Sequence, residues 1–375
     1  MAAAKPLVLD STGSLAQIAA ADTVAPATLG TGAASATTFL RGDNTWATPT
    51  ATATPAGSSG QIQYNNTGAA GGAANLAVDN GDLLITSNAS PVAPAAGKLK
   101  LISRDIGARQ FPSVMYSGGN ITALQAALFA NKIAAYTPVA GATSPTAGAG
   151  WIYGMALPTL VGTDTARAVA TTNAFTRSIR SGTVSASTAG SLASRYWTVA
   201  PYTTGDGTGN GGVFAVFRVG FSDTAAVAGA RSFAGFSSSV AAPTNVEPNT
   251  LINCIGIAQL STDSTQLYIV YGGSAAQTAI ALGTNFPPML AAGAAGGQMY
   301  DLTLFAPNNL NGTIAYQVDR IGTAYSATGT ITPATPGTQT PASNILLAPR
   351  FWRSNNATAL AVGMDISSMY IEADN

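Results

Sequence analysis

The stretch NILLAPRFWRSNNATALAVGMDISSMYIEADN, residues 344–375, decides the fold. Within it Leu360, Val362, Met364 and Ile366 alternate with Ala361, Gly363, Asp365 and Ser367, the period of two that a half-buried strand requires. At Ser367 and Ser368 the phase slips by one residue, and Met369 and Ile371 then alternate with Tyr370 and Glu372. A slip inside a clean alternation predicts a β-bulge, which bends the strand while keeping its apolar side chains on one side. Upstream, residues 347–353 (LAPRFWR) form a second strand candidate, and residues 354–358 (SNNAT) supply the turn between the two. A strand so clearly marked needs partners.

Most of the chain after residue 98 reads as those partners. Residues 98–102 begin a strand, and Val213–Phe221 (VFAVFRVGF) is apolar on both faces except at Arg218, as a central sandwich strand should be. Residues 251–260, 266–271, 300–305 and 313–321 follow at regular spacing, separated by turns such as STDS (261–264) and NNLNG (308–312). One helix is expected at residues 120–136, where Thr122 and Gln125 fit a capping box. There Leu124, Leu128 and Ile133, with Phe129 alongside, form one apolar face. Strands in these numbers, joined by loops, predict a mainly β chain with a large β-sandwich over residues 98–375.

The first 97 residues differ. Residues 1–25 carry only scattered Leu7, Leu9, Leu15 and Ile18. Residues 29–49 hold a Phe39–Leu40 pair, a polar turn at 41–44 and Trp46. A Thr/Ala/Pro linker at 48–56 leads to residues 57–85, with short strands at 61–64, 75–79 and 82–85 between Asn/Gly turns. Residues 86–97 read as a second linker. Units this poor in large apolar residues cannot bury enough area to offset their chain entropy. The retained Phe39, Leu40, Trp46, Ile62, Tyr64, Leu76, Leu83 and Ile85 therefore favour symmetric association of copies over a disordered linker.

Composition narrows the chemistry. Only 9% of the 375 residues are charged, against roughly 25% in ordinary domains, and Lys+Arg balances Asp+Glu at 16 each. Nothing in this balance points to nucleic acid or to a membrane surface. The sequence has no run of ~18 apolar residues and no signal-peptide hydrophobic region, so synthesis in a cytoplasm without export by that route is expected. Cys254, the single cysteine, sits in the apolar LINCIGIAQL and reads as core. The chain has no histidine, which removes Ser-His-Asp triads, histidine-ligated metals and histidine switches together. No cofactor and no metal are expected.

Several of these stretches resemble a known family. LGTGAASATTFLRGDNTWATP and GSSGQIQYNNTGAAGGAANLAVDN resemble two modules common in the shafts of bacteriophage tail fibres. KLKLISRDIGARQFPSVMYSGGNITALQAALFANKI, AVATTNAFTRSIRSGTVSASTAGSLA, GARSFAGFSSSVAAPTNVEPNTLINCIGIA and LLAPRFWRSNNATALAVGMDISSMYIEAD are similar to the carboxy-terminal region of phage and prophage fibre proteins. The resemblance covers nearly all of residues 26–375. It implies a homotrimeric virion fibre, made in the host bacterial cytoplasm, with an extended trimeric shaft over 26–97. The distal domain over 98–375 would be a concanavalin-like (jelly-roll) sandwich touching the host surface. Residues 1–25 match no part of the family and are expected to dock onto other virion proteins. The resemblance identifies no catalytic residue, and the expectation is a non-enzymatic protein. A head- or baseplate-attached fibre without a receptor role and a polysaccharide depolymerase remain the alternatives.

Residue chemistry agrees with a binding role. Glycan cleavage needs two carboxylates facing across a cleft, and the sparse acids of the large domain show no such context. Asp301, Asp319 and Asp365 alternate with apolar residues and could line one sheet face as solvated groups. Residues 205–212 (GDGTGNGG) have too few oxygen ligands for a calcium loop. Arg218, Arg320, Arg350 and Arg353 are expected to bond internally to carboxylates or to neighbouring subunits. A bacterial surface glycan would use aromatic platforms, for which Trp151, Tyr153, Trp197, Tyr202, Tyr271, Tyr325 and Trp352 are candidates. Trp352 alternates with Phe351 and reads mainly as packing, whereas Trp151 and Tyr153 follow the Gly/Pro/Thr loop at 137–150. Contact is expected at that loop and at 203–212, 283–298 and 322–344, away from the shaft.

Overall fold

The computed structural model describes residues 7–9, 15–17, 29–33, 35–48, 56–88, 90–117, 119, 121–124, 132–138, 150–170, 174–223, 226–288 and 298–373. The chain divides into two compact units, Met1–Thr86 and Ser87–Asn375.

The first unit is built of small antiparallel sheets. β1 (Leu7–Leu9) pairs with β2 (Leu15–Gln17), and β3 (Phe39–Leu40) with β4 (Trp46–Ala47) across the expected polar turn. β5 (Gln61–Asn66), β6 (Ala69–Asp79) and β7 (Asp82–Ile85) form a three-stranded sheet. Asn80 and Gly81, both at positive φ, make the tight β6–β7 turn that an Asn-Gly pair favours. Leu29, Phe39, Leu40, Tyr64, Val78, Leu83 and Leu84 are all between 38% and 57% exposed. Among the described residues of this unit no hydrophobic side chain is buried.

The second unit opens with β8 (Leu99–Ile106), β9 (Arg109–Tyr116) and β10 (Ile121–Ala123), a three-stranded sheet. Next come β11 (Lys132–Pro138), β12 (Gly150–Tyr153), β13 (Thr159–Val161), β14 (Thr163–Thr165) and a four-residue helix, α1 (Ala174–Arg177). β15 (Ser181–Val184), β16 (Leu192–Tyr196), β17 (Val213–Phe221), β18 (Arg231–Ser237) and β19 (Cys254–Gln259) follow. β20 (Tyr268–Gly272), β21 (Ile280–Ala281), β22 (Met299–Ala306) and β23 (Ile314–Arg320) lead to β24 (Ser326–Ile331), β25 (Ala348–Ser354) and β26 (Gly363–Ala373). Two sheets result. One has nine strands along β12-β11-β26-β17-β22-β23-β24, with β15 also on β26 and β14 on β15. The other has seven, in the order β13-β16-β25-β18-β19-β20-β21.

Their facing sides make the core of a β-sandwich. Phe217, Val219 and Phe221 of β17 and Ile366, Met369 and Ile371 of β26 pack with residues of the opposite sheet such as Phe351. The predicted bulge is present: Arg218 pairs with Ser368 and Val219 with Ile366, leaving Ser367 as the extra residue. The slip keeps Ile366 and Met369 on the same inward side, and the Ser367 hydroxyl donates to the Ile179 carbonyl at 2.6 Å. A second, smaller cluster includes Phe233, Cys254, Val270 and Trp352. Cys254 is fully buried, and burial pushes its thiol up to about 12.

Three expectations need correction. The helix expected at 120–136 does not form over its described residues: Ile121–Ala123 is β10 and Lys132–Pro138 is β11. Pairing with β26 overrides the local pattern there, and it buries Ala134 and Tyr136 between the sheets. Residues 125–131, with Leu128 and Phe129, lie outside the described residues; among those that are described, α1 is a four-residue helix elsewhere in the chain. Secondly, residues 354–358 supply the turn between two strands as expected, but β26 begins only at Gly363, so Leu360 lies before it and is 45% exposed, and the turn crosses from one sheet to the other. Buried Asn355 fastens it, its amide donating to the carbonyls of Thr188 and Leu360 at 2.9 Å each. Thirdly, the loop expected at 322–344 contains β24, an edge strand.

One buried ion pair links the sheets. Arg353, on β25, donates from Nε to Asp223 Oδ1 at 2.8 Å, and Asp223 Oδ1 also accepts from the Gly363 backbone at the start of β26. Removing the arginine alone leaves an uncompensated buried carboxylate. Arg353→Met should therefore cost about 3–5 kcal/mol in denaturant unfolding, and a loss under about 1 kcal/mol would place Asp223 in water. A second expectation concerns alkaline pH. Burial raises Cys254 and Tyr202 to about 12 each, whereas unfolded thiol and phenol ionise near about 8.5 and 10. Their contribution is complete below those unfolded values and is lost as pH rises toward about 12. Denaturation midpoints should hold to about pH 8 and then fall; a flat profile to about pH 11 would contradict the burial.

Candidate functional site

The structure separates the aromatic candidates by burial. Trp352 is 1% exposed, faces the opposite way from Phe351 as its alternation predicts, and packs with Phe233 and Cys254. Trp197 is 2% exposed and edge-on to Phe351 at 5.9 Å, and its indole N–H donates to the Ala156 carbonyl at 2.7 Å. Tyr202 is 3% exposed beside Phe236, with ring centroids 5.6 Å apart. Tyr271 packs half-buried against the main core. Rings so enclosed offer no stacking face to a ligand. Among the candidates whose side chains are described, Tyr325 is exposed, 46% accessible, with the Arg320 guanidinium 5.9 Å from its centroid. Trp151 and Tyr153 stand on β12, in register with Thr137 and Ala135 of β11. Their side chains lie outside the described residues, as does the loop from 139 to 149.

Trp197 and Tyr202 do share a recess. With Met155, Val199, Pro201 and Pro349 they line an apolar cleft of about 200 Å³. Its walls carry few groups that could orient a polar ligand.

The charged residues are mostly consumed internally. Register places Asp301 beside Arg218 and Asp319, while Asp365 lies beside Gly220, so all three acids occupy the outward face of the nine-stranded sheet. Arg218 grips Asp301 in two-pronged fashion, at 2.7 and 2.6 Å, and this hydrogen bonding raises the arginine above its usual value against the opposing effect of burial. Asp319 accepts from Gln317. Asp365 is fully buried between Arg167 and Arg180, both at 3.0 Å, with the Ser222 hydroxyl at 2.7 Å. Arg350 donates to the carbonyls of Ser239 and Ala241, and Arg320 to Gln298 and the Asn285 carbonyl. Asp206, in the 205–212 turn, accepts from Asn210 and Thr208, which holds its carboxyl well below the usual range. Among the described residues no group of three or more Asp, Glu or Cys is arranged to hold a metal ion.

A further pocket lies between β9 and the outward face of β17 and β26. It measures about 270 Å³. The β8–β9 hairpin reaches this face of the sheet through Gly107, whose backbone N–H donates to Gln317 at 3.1 Å. A Cβ there would stand 2.7 Å from the Thr303 methyl, and φ is +58°, so glycine is required. Behind the hairpin tip Arg109 donates to Glu372 at 2.8 Å, and its guanidinium lies 5.1 to 5.8 Å from the rings of Phe214, Phe111 and Phe305. Tyr370 donates its hydroxyl to the other Glu372 oxygen at 3.0 Å. Phe111, Pro112, Phe214 and Val216 supply apolar wall, and Gln110 a further polar group. Sequence reading did not nominate this pocket. One signal was available: after the phase slip Tyr370 and Glu372 face opposite to Met369 and Ile371, and Phe214 lies on the second apolar face of β17.

The sequence matches no protein-family model and no curated protein. Among solved structures the chain is similar to lectin-like β-sandwich proteins. Peanut lectin matches with a TM-score of 0.41 at 9% identity, over 65% of this chain and 97% of that one. A protein of unknown function from Shewanella oneidensis MR-1 gives 0.36 at 13%, over 67% and 90%. The CBM2 module of the evolved Dit of Lactobacillus casei BL23 phage J-1 gives 0.31 at 14%, over 51% and 75%. Scores and identities this low assign neither ligand nor activity to this chain.

Burial changes what substitutions of the nominated aromatics would report. Tyr202→Ala and Trp352→Ala should each cost about 3–5 kcal/mol of stability by opening a core cavity. Melting curves recorded beside any binding assay check this, and unchanged melting in both would place these rings at the surface.

Proposed function

We propose that this chain is a structural bacteriophage fibre protein, assembled from three copies, whose second unit attaches to a bacterial surface glycan. The observation that carries the reading is the contrast between the units. In a single chain the first unit leaves Phe39, Leu40, Tyr64, Val78, Leu83 and Leu84 open to water, whereas the second encloses a continuous core. Small sheets with exposed apolar side chains are stable when copies cover one another, and shaft modules of phage fibres have this sequence character. Three-fold assembly comes from that resemblance. Docking of residues 1–25 onto other virion proteins comes from their place before the shaft. A rigid sandwich carrying long, nearly uncharged loops suits a neutral surface, and the role is binding, without catalysis.

Mass measured in native solution should correspond to three copies. A stable monomer with residues 26–90 ordered would overturn the assembly. Purified protein should also compete with virions for host cells, since three linked weak contacts gain strongly from avidity. Purified host polysaccharide should not be shortened by it. Unimpaired adsorption at saturating protein would exclude the receptor role and leave a fibre held on head or baseplate. Sustained oligosaccharide release, abolished by one Asp or Glu substitution, would make it a depolymerase.

A further inference from the structure

We infer that Arg350 and Tyr196, side by side on the outer face of the seven-stranded sheet, form a subsite for one singly charged acidic group of a glycan, a carboxylate or a phosphodiester. That the ligand is a glycan rests on the glycan-binding reading above. The charge and the place do not, and both differ from the neutral loops that sequence reading favours.

Among the described residues the buried arginines are Arg180, Arg195, Arg350 and Arg353. Arg180 pairs with Asp365, Arg195 with Asp164 and Arg353 with Asp223. Arg350, only 7% exposed, pairs with no carboxylate of the described residues. Its Nη1 donates to the carbonyls of Ser239, at 2.9 Å, and Ala241. Carbonyls orient a guanidinium without cancelling its charge. Burial accordingly holds Arg350 below its usual value, opposed by the electrostatic influence of Tyr196. A charge taken out of water is costly until an opposite charge meets it, and no described acid does so here. The free edge of the guanidinium is the one that recognises anions. Nε and Nη2 have no acceptor among the described residues, and neither is a sealed atom, so both touch solvent. Two such parallel N–H groups match two oxygens of one carboxylate or phosphate. Alternation puts Arg350 on the Trp352 side of β25, away from Phe351 and the main core. Tyr196 is its register partner on β16, and the guanidinium lies 5.9 Å from the ring centroid. Tyr196 is also 7% exposed, and its hydroxyl touches solvent with no partner among the described residues. That hydroxyl adds a third donor for an anionic oxygen. Val240, in the loop that Nη1 holds, is 38% exposed and offers apolar surface to the C–H side of a sugar. One cation calls for one negative charge. An otherwise neutral glycan with scattered acidic groups therefore suits both this subsite and the nearly uncharged loops.

The test uses the full chain and three probes: methyl glucuronoside, glycerophosphoglycerol and, as the neutral control, methyl glucoside. Binding is read by saturation-transfer NMR and titration. At least one charged probe should bind, and which of the two does so tells carboxylate from phosphodiester. Methyl glucoside should bind about tenfold more weakly or not at all. Arg350→Gln removes the charge and should lower affinity for the charged probe on the order of tenfold or more. Arg350 also holds two carbonyls, so thermal melting accompanies the titration. Tyr196→Phe keeps the ring and loses only the hydroxyl; it should weaken the same probe roughly threefold or more and carries the test if Arg350→Gln does not fold. Failure of both charged probes to bind overturns the subsite. So does equal binding of methyl glucoside, or binding that the folded variants leave unchanged. If no probe binds and Arg350→Gln instead changes the mass in native solution, the anion belongs to another copy of the chain and the subsite is overturned. Competition with virions separates this result from the broader reading. Wild-type protein that competes for host cells yet binds neither charged probe keeps the glycan role while the subsite falls. Protein that binds a charged probe and does not compete keeps the subsite and loses the receptor role.

Discussion

β26 is the constraint on which the second unit depends. Its eleven residues run a ladder with β17 along one edge and with β11 and β15 along the other, so three strands are fixed by one. Inward it supplies Ile366, Met369 and Ile371 to the core. Outward it carries Asp365, Tyr370 and Glu372. Asp365 draws in Arg167 and Arg180 from the chain before β15, and Glu372 draws in Arg109 from the β8–β9 hairpin. Burying such charges is expensive unless every one is matched, so they act as specificity devices: the segments fit in one register or not at all. Without the bulge at Ser367 the outward acids and the inward apolar residues would exchange faces halfway along the strand.

The two units solve the problem of burial differently. In the second, arginines are consumed within the fold, and aromatic rings meet edge-on in the core, as Phe217 does with both Phe236 and Phe351. In the first, ladders as short as two residues satisfy backbone groups while apolar side chains remain in water. Hydrogen bonding alone contributes too little net stability to order such a unit.

Strands were legible wherever alternation was clean. Val213–Phe221 was readable residue for residue, because apolar side chains on both faces leave no other position than the middle of a layered sheet. The bulge was readable because a phase slip is a local event. Residues 121–136 misled because Leu124 and Ile133 can be joined by a helical period, although Ile121, Thr122 and Tyr136 suit a strand and the deciding partner, β26, lies more than two hundred residues away. The same distance hid the pocket: Arg109 and Glu372 are 263 residues apart. Aromatic identity alone could not tell a platform from a core ring, and Trp197, Tyr202 and Trp352 belong to the core.

The position of β26 also has a consequence for synthesis. Of all the strands in the two sheets it leaves the ribosome after every other, yet it occupies the middle of its sheet. Until it arrives, β11 and β17 have finished edges and no shared neighbour, and the outward arginines Arg109, Arg167 and Arg180 have no carboxylate to meet. A nascent chain in that condition exposes unpaired strand edges of the kind that misassociate. Final ordering of the sandwich therefore follows translation of β26 and proceeds by closing long loops, a slow route for any topology so rich in distant pairings. The first unit, complete well before β26 is made, can order or meet other chains while the sandwich behind it is still unfinished.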